Sequence, residues 1–168
     1  NVADPQDLVV NSNGDLFVSD KGTNRIRKYD INGNEYAGWP VGGFGNGGAL
    51  GGAPDLKAPT GIALDSQGNI YIADAGNGRI QKLDSNGNVV DTMFGNQNYA
   101  VSTYMLRGMT STNNNLYVIY DNDPTNAGGD NIWIIKIRFS DENTTTIVNG
   151  ADWGIGTDYG RTPIAYDL

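Results

Sequence analysis

Asp121, Asp123, Asn126 and Asp130 crowd into one short stretch of a 168-residue sequence. Carboxylate and amide oxygens at that density are hard ligands of the kind calcium takes in sets of about six to eight. The Asp-x-Asp opening resembles the start of a calcium loop, yet Pro124 interrupts it and no Glu stands at the loop's closing position. A solvated Asp/Asn/Gly turn is the competing reading. Calcium is the one cofactor the sequence raises. Three tyrosines, Tyr99, Tyr104 and Tyr159, fall between apolar runs, where their rings are candidates for a binding face, whereas Trp133 sits inside an apolar run and reads as core. Asn143-Thr-Thr145 has the pattern of an N-glycosylation acceptor.

The absent residue types exclude more chemistry than the present ones offer. The chain holds no histidine and no cysteine. Ser-His-Asp triads, thiolate nucleophiles, disulfides and the usual zinc ligand sets are therefore out of reach. Nineteen acidic against 11 basic residues leave a net charge of -8, which disfavours a nucleic-acid backbone as partner. Gly42 to Gly52 is rich in glycine but lacks the Gly-Lys-Ser/Thr ending of a phosphate cradle, so it reads as a flexible crossing. No run of about 18 apolar residues is present to form a membrane-spanning helix.

The elements that must position these residues come in copies. Pro59 to Asp84 reads as an apolar run, a polar turn, a second apolar run, a break with two glycines, and an alternating run. Short β-rich runs divided by Asp/Asn/Gly/Ser turns predict consecutive antiparallel strands. Pro5 to Asp30 repeats the pattern at a constant offset of 54, with Pro5 on Pro59, Gly14 on Gly68, Asp20 on Asp74 and Arg25 on Arg79. The Asp/Arg pairs are expected to be structural. A drifted third copy runs from Arg107 to Arg138, and Thr162 to Asp167 resembles the opening of a fourth. A further strand is expected in each tail, near Glu35 to Trp39, Val89 to Phe94 and Thr144 to Val148. No window carries a helical period.

The motif from Pro59 to Lys82, Pro-x-Gly-Ile-Ala-x-Asp-x-x-Gly-Asn-Ile-Tyr-Ile-Ala-Asp-x-x-Asn-x-Arg-Ile-Gln-Lys, resembles an NHL repeat. The first copy matches nearly as well. In the third the Pro is gone, Tyr120 replaces the Asp, and Trp133 stands in the Arg position. The resemblance implies an all-β fold of four-stranded β-propeller blades, at about 4–44, 58–96 and 105–150, with 162–168 as the first strand of a next blade. Propellers typically use 4–8 blades. Three and a strand form an incomplete ring, to be closed by further chain or by association. Pro163, Ile164, Ala165 and Tyr166 are the candidate assembly strand.

Fold alone does not give function. The expected function is a non-catalytic extracellular or cell-surface module for protein binding or self-assembly, with other copies of itself or the rest of a longer propeller as partner. The extracellular setting follows from family habit and from the absent initiator Met. The alternative is a divalent-cation-dependent lactonase- or lyase-like propeller whose site is completed by further blades. The NHL-type lyases use histidine-bound zinc, which this chain has no residues to hold.

Overall fold

In the computed structural model, residues 2–37, 39, 43–44, 55–93, 105–121, 132–140 and 144–148 are described. They form three antiparallel sheets. The first comprises β1 (Pro5–Val10), β2 (Leu16–Asp20) and β3 (Arg25–Tyr29). A two-residue parallel pair, β4 (Gly43–Phe44) with β5 (Asp55–Leu56), stands between it and the second sheet. The second comprises β6 (Pro59–Leu64), β7 (Ile70–Asp74), β8 (Arg79–Leu83) and β9 (Val89–Met93), in chain order. The third, also in chain order, comprises β10 (Met105–Ser111), β11 (Asn115–Asp121), β12 (Ile132–Arg138) and β13 (Thr144–Val148). Among the described residues the helical structure is one 3-10 turn, Ala75–Asn77.

Strand alternation decides which side chains meet. Successive residues point to opposite faces of a sheet. From β7, Ile70 and Ile72 pack toward the first sheet with Phe17, Ile26 and Leu56, while Tyr71 and Ala73 pack toward the third with Met109, Leu116 and Val118. The second sheet is thus covered on both sides, so every residue of β7 is buried and the strand reads as a near-continuous apolar run. Tyr71 adds a ring stacked on Phe139, at 4.9 Å between centroids. The sheets approach most closely along their first strands, β1 beside β6 and β6 beside β10. Thr60 Oγ1 donates to the Leu106 carbonyl at 2.8 Å across that seam. A Cβ on Gly61 would lie 3.1 Å from the Met109 nitrogen, so the seam requires the missing side chain.

One turn is used four times. Asp65 accepts from the amides of Gln67 and Asn69 on Oδ1, both at 2.9 Å, and from Asn69 Nδ2 on Oδ2 at 2.7 Å. Asp30 with Asn34 and Asp84 with Asn88 repeat this set, and Asn11 with Asp15 is a close variant. Each carries a glycine at φ between 82° and 88°, namely Gly14, Gly33, Gly68 and Gly87, where other residues are strained. Bonds from side chain to local backbone are what Asp and Asn provide in turns.

The first sheet departs from the expected four strands. In place of a strand over Glu35 to Trp39 the chain makes a single bridge, Tyr29 to Glu35, and then turns, with the Trp39 amide donating to the Tyr36 carbonyl at 3.3 Å. The turn carries the Trp39 ring edge-on to Phe17, 5.2 Å between centroids. Covering that buried ring takes the place of continued pairing along β3. The expected fourth strands of the other two sheets are β9 and β13.

Candidate functional site: carboxylate latches and open sheet faces

Carboxylates end the second strands of the first and second sheets, and both are fully inaccessible. Asp20 accepts from the amides of Ala3, at 3.1 and 3.2 Å, and Asp4, at 2.9 Å, from Thr23 Oγ1 at 2.7 Å, and from Arg27 Nε at 3.0 Å. Asp74 accepts from the Lys57 amide at 2.7 Å, Asn77 Nδ2 at 2.8 Å and Arg79 Nε at 2.7 Å. Each therefore ties the segment entering its sheet to the hairpin that leaves the second strand. Burial pushes the Asp20 carboxyl up, but the Asp4 amide, Thr23, Arg27 and the Ala3 amide outweigh it and hold the group well below the usual carboxylate range. Oxygens so fully engaged are structural, and they are not placed to move protons or bind a cation.

The partners differ between copies. Asp74 pairs with Arg79, as the repeat leads one to expect, but the salt bridge seen from Asp20 runs to Arg27, two residues beyond Arg25 on the same face of β3. Arg27 also pairs with Glu35 at 2.6 Å. In the third sheet the positions of Asp74 and Arg79, which face each other across β7 and β8, are taken by Tyr120 and Trp133, which face each other across β11 and β12. Their rings stack at 6.1 Å and 24°. Trp133 is half-buried in this stack instead of sitting in the core.

Of the proposed calcium ligands, only Asp121 falls within the described residues. Asp121 closes β11, opposite Met105 and Ile132 in register. Asp123, Asn126 and Asp130 lie outside the described residues. So do Tyr99, Tyr104, Tyr159, Asn143 and the candidate assembly residues Pro163, Ile164, Ala165 and Tyr166. Among the described residues no three His, Cys, Asp or Glu side chains gather as a metal site would need.

What the structure adds is a pair of open sheet faces. The front of a sheet is here the side toward the sheet before it in the chain, and the back is the side toward the next. Ile62, on the front of the second sheet, is 2% exposed because the first sheet covers it. Its counterpart on the front of the first sheet, Leu8, is 61% exposed, and Val10, the counterpart of Leu64, is 54% exposed. On the back of the third sheet Ile119 is 39% exposed, where its counterpart Ala73 is fully buried. The sequence carries the apolar residues of these faces. Their exposure becomes visible only when the sheets are stacked.

Antiparallel blades packed face on face through their first strands define a β-propeller type of architecture. Residues 3–29 and 56–83 match the model of the NHL repeat, so the first two sheets each carry one such repeat. No protein of curated function matches the sequence. Solved structures match the fold at low identity. One, from a nidogen/laminin complex, has a TM-score of 0.60 at 18% identity, over 86% of this chain and 48% of that one. A protein of unknown function from Bacteroides caccae gives 0.59 at 16%, over 89% and 51%. A catalytically inactive virginiamycin B lyase from Staphylococcus aureus, solved with quinupristin, gives 0.50 at 18%, over 85% and 55%. The chain spans about half the length of these structures. None of its described helices is long and apolar enough to cross a membrane.

Proposed function

We propose that this chain is a non-catalytic propeller module that binds protein, in an extracellular or cell-surface setting. The observation that carries the reading is the open apolar front of the first sheet, with Leu8 and Val10 exposed where the same positions of the second sheet are buried or partly buried. Contiguous exposed apolar surface marks sites of protein contact. The chemistry of the chain agrees. It has no histidine or cysteine, and the two buried carboxylates among the described residues are saturated by structural donors. The net charge of -8 disfavours nucleic acid. The nidogen propeller, solved in complex with laminin, lends support to a protein partner and to the extracellular setting.

An enzymatic reading takes its support from the lyase likeness. It requires a cation site built from Asp and Asn, for which Asp121, Asp123, Asn126 and Asp130 are the proposed ligands, completed by further blades. Lactone and lyase substrates offered to the chain with and without added calcium test both readings. We expect no turnover and no calcium-dependent change in melting temperature. Turnover that disappears in the Asp121→Ala, Asp123→Ala double variant overturns the non-catalytic reading.

A further inference from the structure

We infer that the front of the first sheet is the docking face for the back of the third sheet in a second copy of this chain. The inference rests on the proposed role as a binding module and names the partner. Two junctions inside the chain show what such a contact contains. At the first, Phe17 and Ile26 on the back of one sheet meet Ile62, Ile70, Ile72 and Leu83 on the front of the next. At the second, Tyr71 and Ile80 on the back meet Met109, Leu116, Val118 and Ile137 on the front. Each time the back offers one aromatic on the second strand and one isoleucine on the third.

The third sheet has the same pair. Strand register places Tyr117 at the position of Tyr71 and Ile134 at that of Ile80, and both are only half-buried. The front of the first sheet offers an apolar set in which Leu8 and Val10 are exposed, Leu16 and Tyr29 half-buried, and Val18 already buried beneath them. Two arginines lie on that front, Arg25 and Arg27, and Arg27 is already matched by Asp20 and Glu35. The back of one copy thus complements the front of another, a head-to-tail contact that forms rings where the rotation closes.

The test is the native mass of the 168-residue chain, by sedimentation and native mass spectrometry across a concentration series. The expected particle is twice the 18.0 kDa of one chain. Leu8→Glu and Ile119→Glu, both at exposed positions, should each weaken association by about 30-fold or more, the scale of an interface hot spot. Val90→Glu, on the outer strand β9 and 57% exposed, should leave it unchanged. Mixing Leu8→Glu with Ile119→Glu should restore a pair, because one junction then has two intact faces. A chain that stays monomeric into the hundreds of micromolar overturns the inference. So does association that survives Ile119→Glu, which means front meets front, or association lost equally in Val90→Glu. Turnover in the assays above removes the module reading, whereas a monomer removes only this junction.

Discussion

Asn at position 20 is nearly the same shape as the native Asp, yet it presents an NH2 where a carboxylate oxygen now accepts three bonds. In the native protein Oδ2 takes Thr23 Oγ1 at 2.7 Å, Arg27 Nε at 3.0 Å and the Ala3 amide at 3.1 Å, while Oδ1 takes the Asp4 amide at 2.9 Å and shares that of Ala3 at 3.2 Å. Asp20→Asn keeps the Asp4 bond. It sets a donor against the guanidinium, and the Thr23 hydroxyl must rotate to accept. A bond to a charged group contributes about 1.5–3 kcal/mol, and breaking a buried ion pair costs about 3–5 kcal/mol. Arg27 keeps Glu35, which offsets part of this. The expected loss at neutral pH is about 3 kcal/mol, a large share of a typical 5–15 kcal/mol. The pH dependence fixes the cause. Asp20 is held below its unfolded value of about 3.9, so its contribution is complete well above that value and is lost as pH falls toward the folded pKa. Urea unfolding of both proteins should therefore show the gap narrowing from about pH 5 downward. A loss under about 0.5 kcal/mol at neutral pH, the range of an ordinary surface change, or a gap that stays constant down to acid, would refute the latch.

Gly33→Ala, where a new Cβ meets nothing within 4 Å, should cost only the strain of a positive φ, about 1–2 kcal/mol by thermal or urea unfolding. Gly61→Ala should cost a similar amount for a different reason, by prying β6 from β10, and a neighbouring Met109→Ala should partly relieve it. Tyr71→Ala should cost about 3–5 kcal/mol, because the ring is fully buried and stacked on Phe139. Alanine at Tyr120, Trp133 and both should give a coupling of about 0.5–1.5 kcal/mol in a double-mutant cycle, and additivity would dismiss the stack.

The strand order was legible because each local signal agreed with its neighbours. Ile70 to Ala73 was apolar throughout, Gly68 and Gly87 stood in Asp/Asn turns, and the offset of 54 located the first sheet from the second. Where the reading failed, a distant contact had overruled a local pattern. Glu35 to Trp39 looked like a strand, but Phe17 needed a cover and Trp39 supplied it. Arg25 aligns with Arg79, yet Arg27 reaches Asp20 because residues two apart on a strand share a face and Glu35 draws Arg27 to the same side. That an incomplete ring leaves two apolar sheet faces uncovered follows from the sequence, but which residues line them does not. Leu8 and Ile62 are alike as letters, and only the stacking of sheets tells which is covered.

Three of the four shared turns also bear on how the protein ages. Asn13-Gly14, Asn32-Gly33 and Asn86-Gly87 are the dipeptides in which a backbone nitrogen most readily attacks the side-chain amide ahead of it, expelling ammonia and leaving aspartate or its isomer. In the folded turns that nitrogen is occupied: the amides of Gly14, Gly33 and Gly87 donate to the carbonyls of Asn11, Asp30 and Asp84 at 3.1, 2.9 and 2.9 Å. The hydrogen bonds that close the hairpins hold each nucleophile away from its target. Deamidation at these sites, followed by peptide mass spectrometry, should therefore be slow in the native protein and fast in urea, making the turns a chemical record of how long each molecule has spent unfolded.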